Sequence, residues 1–149
     1  MRNWLIVLVF LISPAFAQTA QVTAGSPFGI NAGVRFTLVP SLLDGRVYGG
    51  VNLFTGGPVS LGGGADLLVS LPLTDLYAGA GLFYASGTTA SLFAQGSSSG
   101  GLGARGVVGT YLNVGLPLIG FFVEVHPMLF FTGPSNFGLG AAFGVNLGF

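Results

Sequence analysis

The sequence contains no cysteine and no lysine, and only 5% of its residues are charged. The missing cysteines rule out a disulfide framework, a thiolate nucleophile and any thiolate-ligated metal. Four arginines balance four acids. That leaves no basic stripe to neutralise phosphates, which argues against nucleic-acid binding. A soluble domain carries about 25% charged residues. A chain with 51% hydrophobic residues and so few charges needs something other than water over much of its surface. Long apolar runs are also lacking. After residue 17, Gly or Pro breaks every apolar stretch well short of the roughly 20 residues that a membrane helix requires. One histidine and four acids are poor material for a metal site, and no cofactor is expected. Gly is abundant, at 27 residues, but shows no Gly-X-Y period, so the chain is not collagen-like. The runs Leu61-Gly62-Gly63-Gly64 and Gly100-Gly101-Leu102-Gly103 precede neither a Lys nor a helix and are not phosphate loops.

What is present begins with Met1 to Ala17, MRNWLIVLVFLISPAFA. Arg2 is a positive start, Trp4 to Ile12 an apolar centre, and Ala15-Phe16-Ala17 a small-x-small cleavage site. This pattern predicts a signal peptide over 1–17 and a mature domain over 18–149. A membrane anchor would need a longer run, unbroken by Ser13-Pro14.

In the mature domain the dominant signal has period two. Phe137, Leu139, Ala141, Phe143, Val145, Leu147 and Phe149 alternate with Gly138, Gly140, Ala142, Gly144, Asn146 and Gly148. Comparable runs cover 28–38, 59–71, 102–116 and 121–131, with weaker ones near 46–54 and 76–84. A short eighth strand is expected over Thr19 to Gly25, closing an even-numbered set. Several runs are longer than the usual strand of about 5 to 6 residues and suit the 9 to 11 that a tilted strand needs to cross a bilayer. Arg35, Asp66, Arg105, Glu124 and His126 all share a face with the glycines, opposite the Val, Leu and Phe positions. Arg on a lipid-facing side costs about 2 to 4 kcal/mol at mid-membrane, so the apolar face is read as pointing out. The fold class that follows is all-β: an antiparallel up-and-down transmembrane β-barrel of eight strands. The competing assignment is a secreted β-sandwich with its aromatics in the core.

The connections fall into two kinds. Val39 to Gly45, Leu71 to Asp75 and Leu116 to Gly120 are short Pro-containing turns, assigned to the periplasmic side. Thr55 to Pro58, Gly87 to Gly101 and Thr132 to Asn136 are the outer loops. Aromatic girdles are then expected from Phe28, Phe54, Tyr84, Phe131 and Phe137 outside and from Tyr48, Tyr77, Phe121 and Phe149 inside. Pro127, mid-strand, predicts a local bulge.

With its signal peptide, its alternation and a last strand reading Phe143-x-Val145-x-Leu147-x-Phe149, the chain resembles the small outer-membrane barrels of the OmpA-transmembrane-domain, OmpX and OmpW type. The resemblance implies a monomer in the bacterial outer membrane, with lipid as its surroundings. It also implies that Phe143, Val145, Leu147 and Phe149 are read by the barrel-assembly machinery. The chain differs from these relatives in lacking long charged outer loops.

Material for catalysis is scarce. His126 and Glu124 share a face, and Ser135 lies in the following loop, but the His-x-Ser motif of barrel lipases is absent. An interior histidine with a structural role is the simpler reading, and no enzymatic activity is expected. Arg35, Asp66 and Glu124, joined by Arg46, are expected to pair inside the barrel, because buried charges need partners. Arg105 is expected near the outer mouth. The functional expectation is a structural or binding barrel. The alternatives are a narrow pore for ions or small apolar molecules, and a lipid-modifying enzyme using His126.

Overall fold

The computed structural model describes residues 18–53, 59–87, 89, 93–94, 100–132 and 137–148. The predicted signal peptide, Phe54, Ser135 and Phe149 lie outside the described residues. Nine strands occur among those described: β1 Gln18–Gly25, β2 Gly29–Val39, β3 Leu43–Asn52, β4 Ser60–Ser70, β5 Leu76–Ala85, β6 Phe93–Ala94, β7 Gly101–Leu112, β8 Ile119–Phe130 and β9 Phe137–Gly148. Eight of them form one antiparallel sheet in sequence order, and β1 pairs with β9 to close it. The two-residue β6 lies outside this circuit and pairs only with β9. The expected eighth strand is therefore present. It starts at Gln18 and is held on both sides, by β2 and by β9. Followed once around the sheet, the pairing advances by about ten residues, the stagger of strands tilted about 40°.

The alternation in the sequence becomes a division between outside and inside. Val47, Leu67, Leu82, Val108, Val125 and Phe143 are exposed on the outer surface. Gln21, Asn31, Arg46, Asp66, Arg105 and Glu124 are buried in the interior. A soluble domain has the reverse arrangement. Closure also removes the unpaired edges that an open sheet would present.

The three Pro turns lie at one end and share a conformation. Pro40, Pro72 and Pro117 are each followed by a residue with positive φ, at Ser41 (60°), Leu73 (64°) and Leu118 (66°). Proline followed by a positive φ is the pattern of a type II turn. In two of them the closing bond is present, from the Leu42 amide to the Val39 carbonyl (3.1 Å) and from the Thr74 amide to the Leu71 carbonyl (3.3 Å). Both ends of the barrel sequence lie at this end, since Thr19 pairs with Gly148.

Three aromatic positions differ from the sequence reading. Phe28, expected on the outer surface, is fully buried. It sits in the turn after β1, where the period-two pattern is interrupted, and Gly29 at φ 90° begins β2 after the chain has turned Phe28 into the lumen. Tyr48 and Tyr77, expected in the inner girdle, are also buried inside; they share strand parity with Arg46 and with Phe83. Tyr84, Phe131 and Phe137 are exposed on the outside near the long-loop end. Phe121 and Phe143 stack at 5.9 Å.

No bulge forms at Pro127. The β8–β9 register runs unbroken through Pro127 opposite Leu139. On the other side, the β7–β8 pairs Arg105–Met128 and Val108–Val125 keep the same register while the two intervening pairs are missing. The ring is accommodated by Gly106, where a Cβ would lie 2.9 Å from Pro127 Cγ. A glycine opposite the proline makes an extra residue unnecessary. The register shift that does occur is in β2, between Thr37 and Val39.

Candidate functional site

The lumen is filled in three layers. Toward the long-loop end Phe28, Tyr48, Phe83, Ala85, Met128 and Phe130 form an apolar cluster. Toward the Pro-turn end Leu68, Tyr77, Val107 and Phe122 form another, with Tyr111 packed against it. Between them lies an ionic layer of Arg46, Asp66, Arg105, Glu124 and His126.

The glycines make this filling possible. Four buried aromatics each face a glycine directly across a strand pair: Tyr48 opposite Gly64, Phe83 opposite Gly103, Tyr77 opposite Gly109 and Phe122 opposite Gly144. A Cβ at any of these glycines would overlap the ring beside it. An eight-stranded barrel has an interior just wide enough for side chains, so each large ring needs a neighbour with none.

The ionic layer is built the same way. Arg46 and Asp66 are direct cross-strand partners, and Arg46 Nε donates to Asp66 Oδ2 at 2.7 Å. Arg105 reaches the same carboxylate from the other side, with Nε 3.0 Å from Oδ1 and Nη2 2.6 Å from Oδ2. Gly81 on β5 stands between them, paired with Asp66 on one side and Arg105 on the other. A Cβ there would overlap Asp66 Oδ1. Across the lumen, Arg46 Nη1 donates to Glu124 Oε1 at 2.6 Å and Tyr77 Oη donates to the same oxygen at 2.7 Å. His126 Nε2 lies 2.8 Å from Glu124 Oε2. The Arg105 guanidinium lies 4.1 Å from the Tyr48 ring centre, a cation–π contact that binds the layer to the cluster above. Two acids face two bases, all of them buried, and the network joins β3, β4, β5, β7 and β8.

Two predicted positions change. Arg35, expected among these residues, sits outside the layer. It is the cross-strand neighbour of Arg46, and Arg46 already pairs with Asp66 and Glu124. Arg35 instead donates through Nε and Nη2 to Asp44 Oδ2, at 2.9 and 2.6 Å, and through Nη1 to Tyr111 Oη. Its guanidinium lies over the rings of Tyr77 and Tyr111. Arg105, expected at the outer mouth, is buried in the central layer because its side chain extends past Gly81 to Asp66. Asp44 was not singled out in the sequence. The sequence places it in a turn, but β3 begins at Leu43, which puts Asp44 on the lumen face two residues before Arg46.

The Arg35–Asp44 pair forms the floor of an open vestibule of about 500 Å³ at the Pro-turn end, with Thr37, Ser70, Tyr111 and Asn146 on its walls. Phe143, Val145 and Leu147 of the predicted assembly signal lie on β9, with Phe143 and Leu147 exposed outward. Among the described residues, no group of three or more His, Cys, Asp or Glu is placed to hold a metal ion.

No protein-family model, curated protein or solved structure matches this chain. Its function is therefore read from the barrel itself. His126, the one histidine, is 1% exposed. It is turned toward Glu124 and closed off above and below by the two apolar clusters. The arrangement holds the wall together across its diameter, with Arg46 of β3 bonded to Asp66 of β4 and to Glu124 of β8.

Proposed function

We propose that this chain is an integral outer-membrane β-barrel protein with a structural or binding role and without catalytic activity. One observation carries the reading: on a closed sheet, apolar side chains cover the outside while Arg46, Asp66, Arg105 and Glu124 lie buried within. A bilayer demands this polarity, because lipid-exposed backbone must be paired and lipid-exposed charge is costly. Strands of 8 to 12 residues in the circuit suit the hydrocarbon thickness. The exposed aromatics Tyr84, Phe131 and Phe137 fit an interfacial girdle. In this reading the Pro turns face the periplasm and the longer loops face out, and the barrel is a monomer.

The filled lumen favours a closed barrel over a pore, since apolar clusters close the ionic layer on both sides. The test is extraction and mobility. The protein should stay with membranes through carbonate washing, need detergent for release, and migrate differently on a gel when boiled and unboiled. Release by carbonate alone would contradict the proposal. In planar bilayers the folded protein should give no steady conductance, and a stable open level would favour the pore instead.

A further inference from the structure

Beside the ionic layer is a small cavity of about 10 Å³. Five buried polar atoms on its lining residues have no hydrogen-bond partner within the protein: Gln21 Oε1, Asn31 Oδ1, Arg46 Nη2, Tyr48 Oη and His126 Nδ1. They come from four strands, β1, β2, β3 and β8, so no local turn geometry explains them. Burying a polar group without a partner costs about 1 to 3 kcal/mol, and five such atoms around one space mark it as a ligand site. We propose that the cavity binds a single water molecule, held as a fixed part of the polar layer.

Size and chemistry both select water. The volume is at the lower limit for a single buried water. The direction of each atom follows from the bonds its residue already makes. Gln21 Nε2 donates to Asn146 Oδ1 at 2.8 Å and Asn31 Nδ2 donates to Thr23 Oγ1 at 2.9 Å, so both amide oxygens are left as free acceptors. His126 Nε2 faces a carboxylate oxygen, which can only accept, so Nε2 carries the proton, and in the neutral imidazole Nδ1 then presents a lone pair. Arg46 Nη2 can only donate, and the Tyr48 hydroxyl can do either. The site thus offers two donors and three acceptors. A cation would face the Arg46 guanidinium. An anion would face two amide oxygens and an imidazole lone pair. Water uses both kinds, accepting from Arg46 and Tyr48 and donating to two of the acceptors, within the two to four bonds usual for a buried water. The site thereby links β1, β2, β3 and β8 and completes a ring that the ion pairs alone leave open on the β1–β2 side. This does not depend on where the barrel resides.

The test is solution NMR of the isotope-labelled folded barrel in detergent micelles. The single histidine makes the imidazole signals unambiguous. Water-selective cross-relaxation should give peaks on the His126 and Tyr48 ring protons, with the sign of a water that stays longer than the tumbling time. The Nδ1 resonance should show a hydrogen-bonded lone pair. Asn31→Leu fills the space with methyl groups and should abolish the water peaks while the barrel keeps its unboiled gel mobility; Gln21→Met gives the same reading should Asn31→Leu not fold. Absence of the peaks in the unsubstituted protein, or their persistence in a folded filled variant, overturns the proposal.

Discussion

Asp66 accepts hydrogen bonds from two guanidiniums and has no access to solvent, whereas Asp44 pairs with Arg35 beside an open vestibule and keeps 16% of its side chain exposed. Removing one member of a buried pair leaves the other charged and unsolvated, at about 3 to 5 kcal/mol. Asp66→Ala should therefore lower the urea unfolding midpoint of the barrel severely. Asp44→Ala should lower it much less, because water can replace the lost carboxylate at Arg35. Equal shifts would contradict the layered arrangement. Glycines divide in the same way. Gly109→Ala drives a methyl into the Tyr77 ring, and overpacking of this kind costs about 1 to 3 kcal/mol. At Gly49 a Cβ would meet only a carbonyl oxygen at ordinary contact distance, 3.5 Å, so Gly49→Ala should leave the midpoint nearly unchanged. Thermal unfolding of the two variants side by side checks the contrast.

Strands rather than single residues decide how firmly the wall is closed. The β8–β9 ladder is continuous, but the β7–β8 ladder loses two pairs where Pro127 faces Gly106. Pro127 has no N–H to give the Gly106 carbonyl, so the β7 amides that face β8 beside this gap, those of Gly106 and Val108, should exchange with deuterated solvent faster than those of the β8–β9 ladder, because local opening follows missing backbone bonds. Uniform protection across both ladders would contradict this. The strands were largely legible in the sequence, since a sheet buried on one face writes its period into the chain. Even short β1 was recognisable from Gln21 and Thr23 alternating with Ala20, Val22 and Ala24. What stayed hidden was the reach of long side chains across strands. Sequence parity puts Arg35, Arg46 and Arg105 on the inner face but does not say which carboxylate each one finds. That depends on register, on Gly81 leaving a gap, and on Asp44 lying in β3 rather than in the turn before it. The effect of Pro127 is hidden for the same reason: it is set by the residue opposite, and only the alignment of β7 with β8 makes that residue Gly106.

For the molecule as a whole, the account rests on an inversion of polarity, with charge inside and apolar side chains outside. Placing charge on the outer surface should then harm the protein, where on a water-facing surface it would do little. Leu67→Arg should cost about 2 to 4 kcal/mol of stability in lipid vesicles, and an unchanged midpoint would argue for a solvent-facing wall. The most direct measurement uses the absence of cysteine, which makes any introduced thiol unique. Single nitroxide labels at Leu67→Cys and Val108→Cys, in protein reconstituted into vesicles, report what touches the outer face. The account predicts relaxation by oxygen, which concentrates in hydrocarbon, and little relaxation by a water-soluble nickel complex. Strong relaxation by nickel at both positions would mean that water, not lipid, covers the barrel.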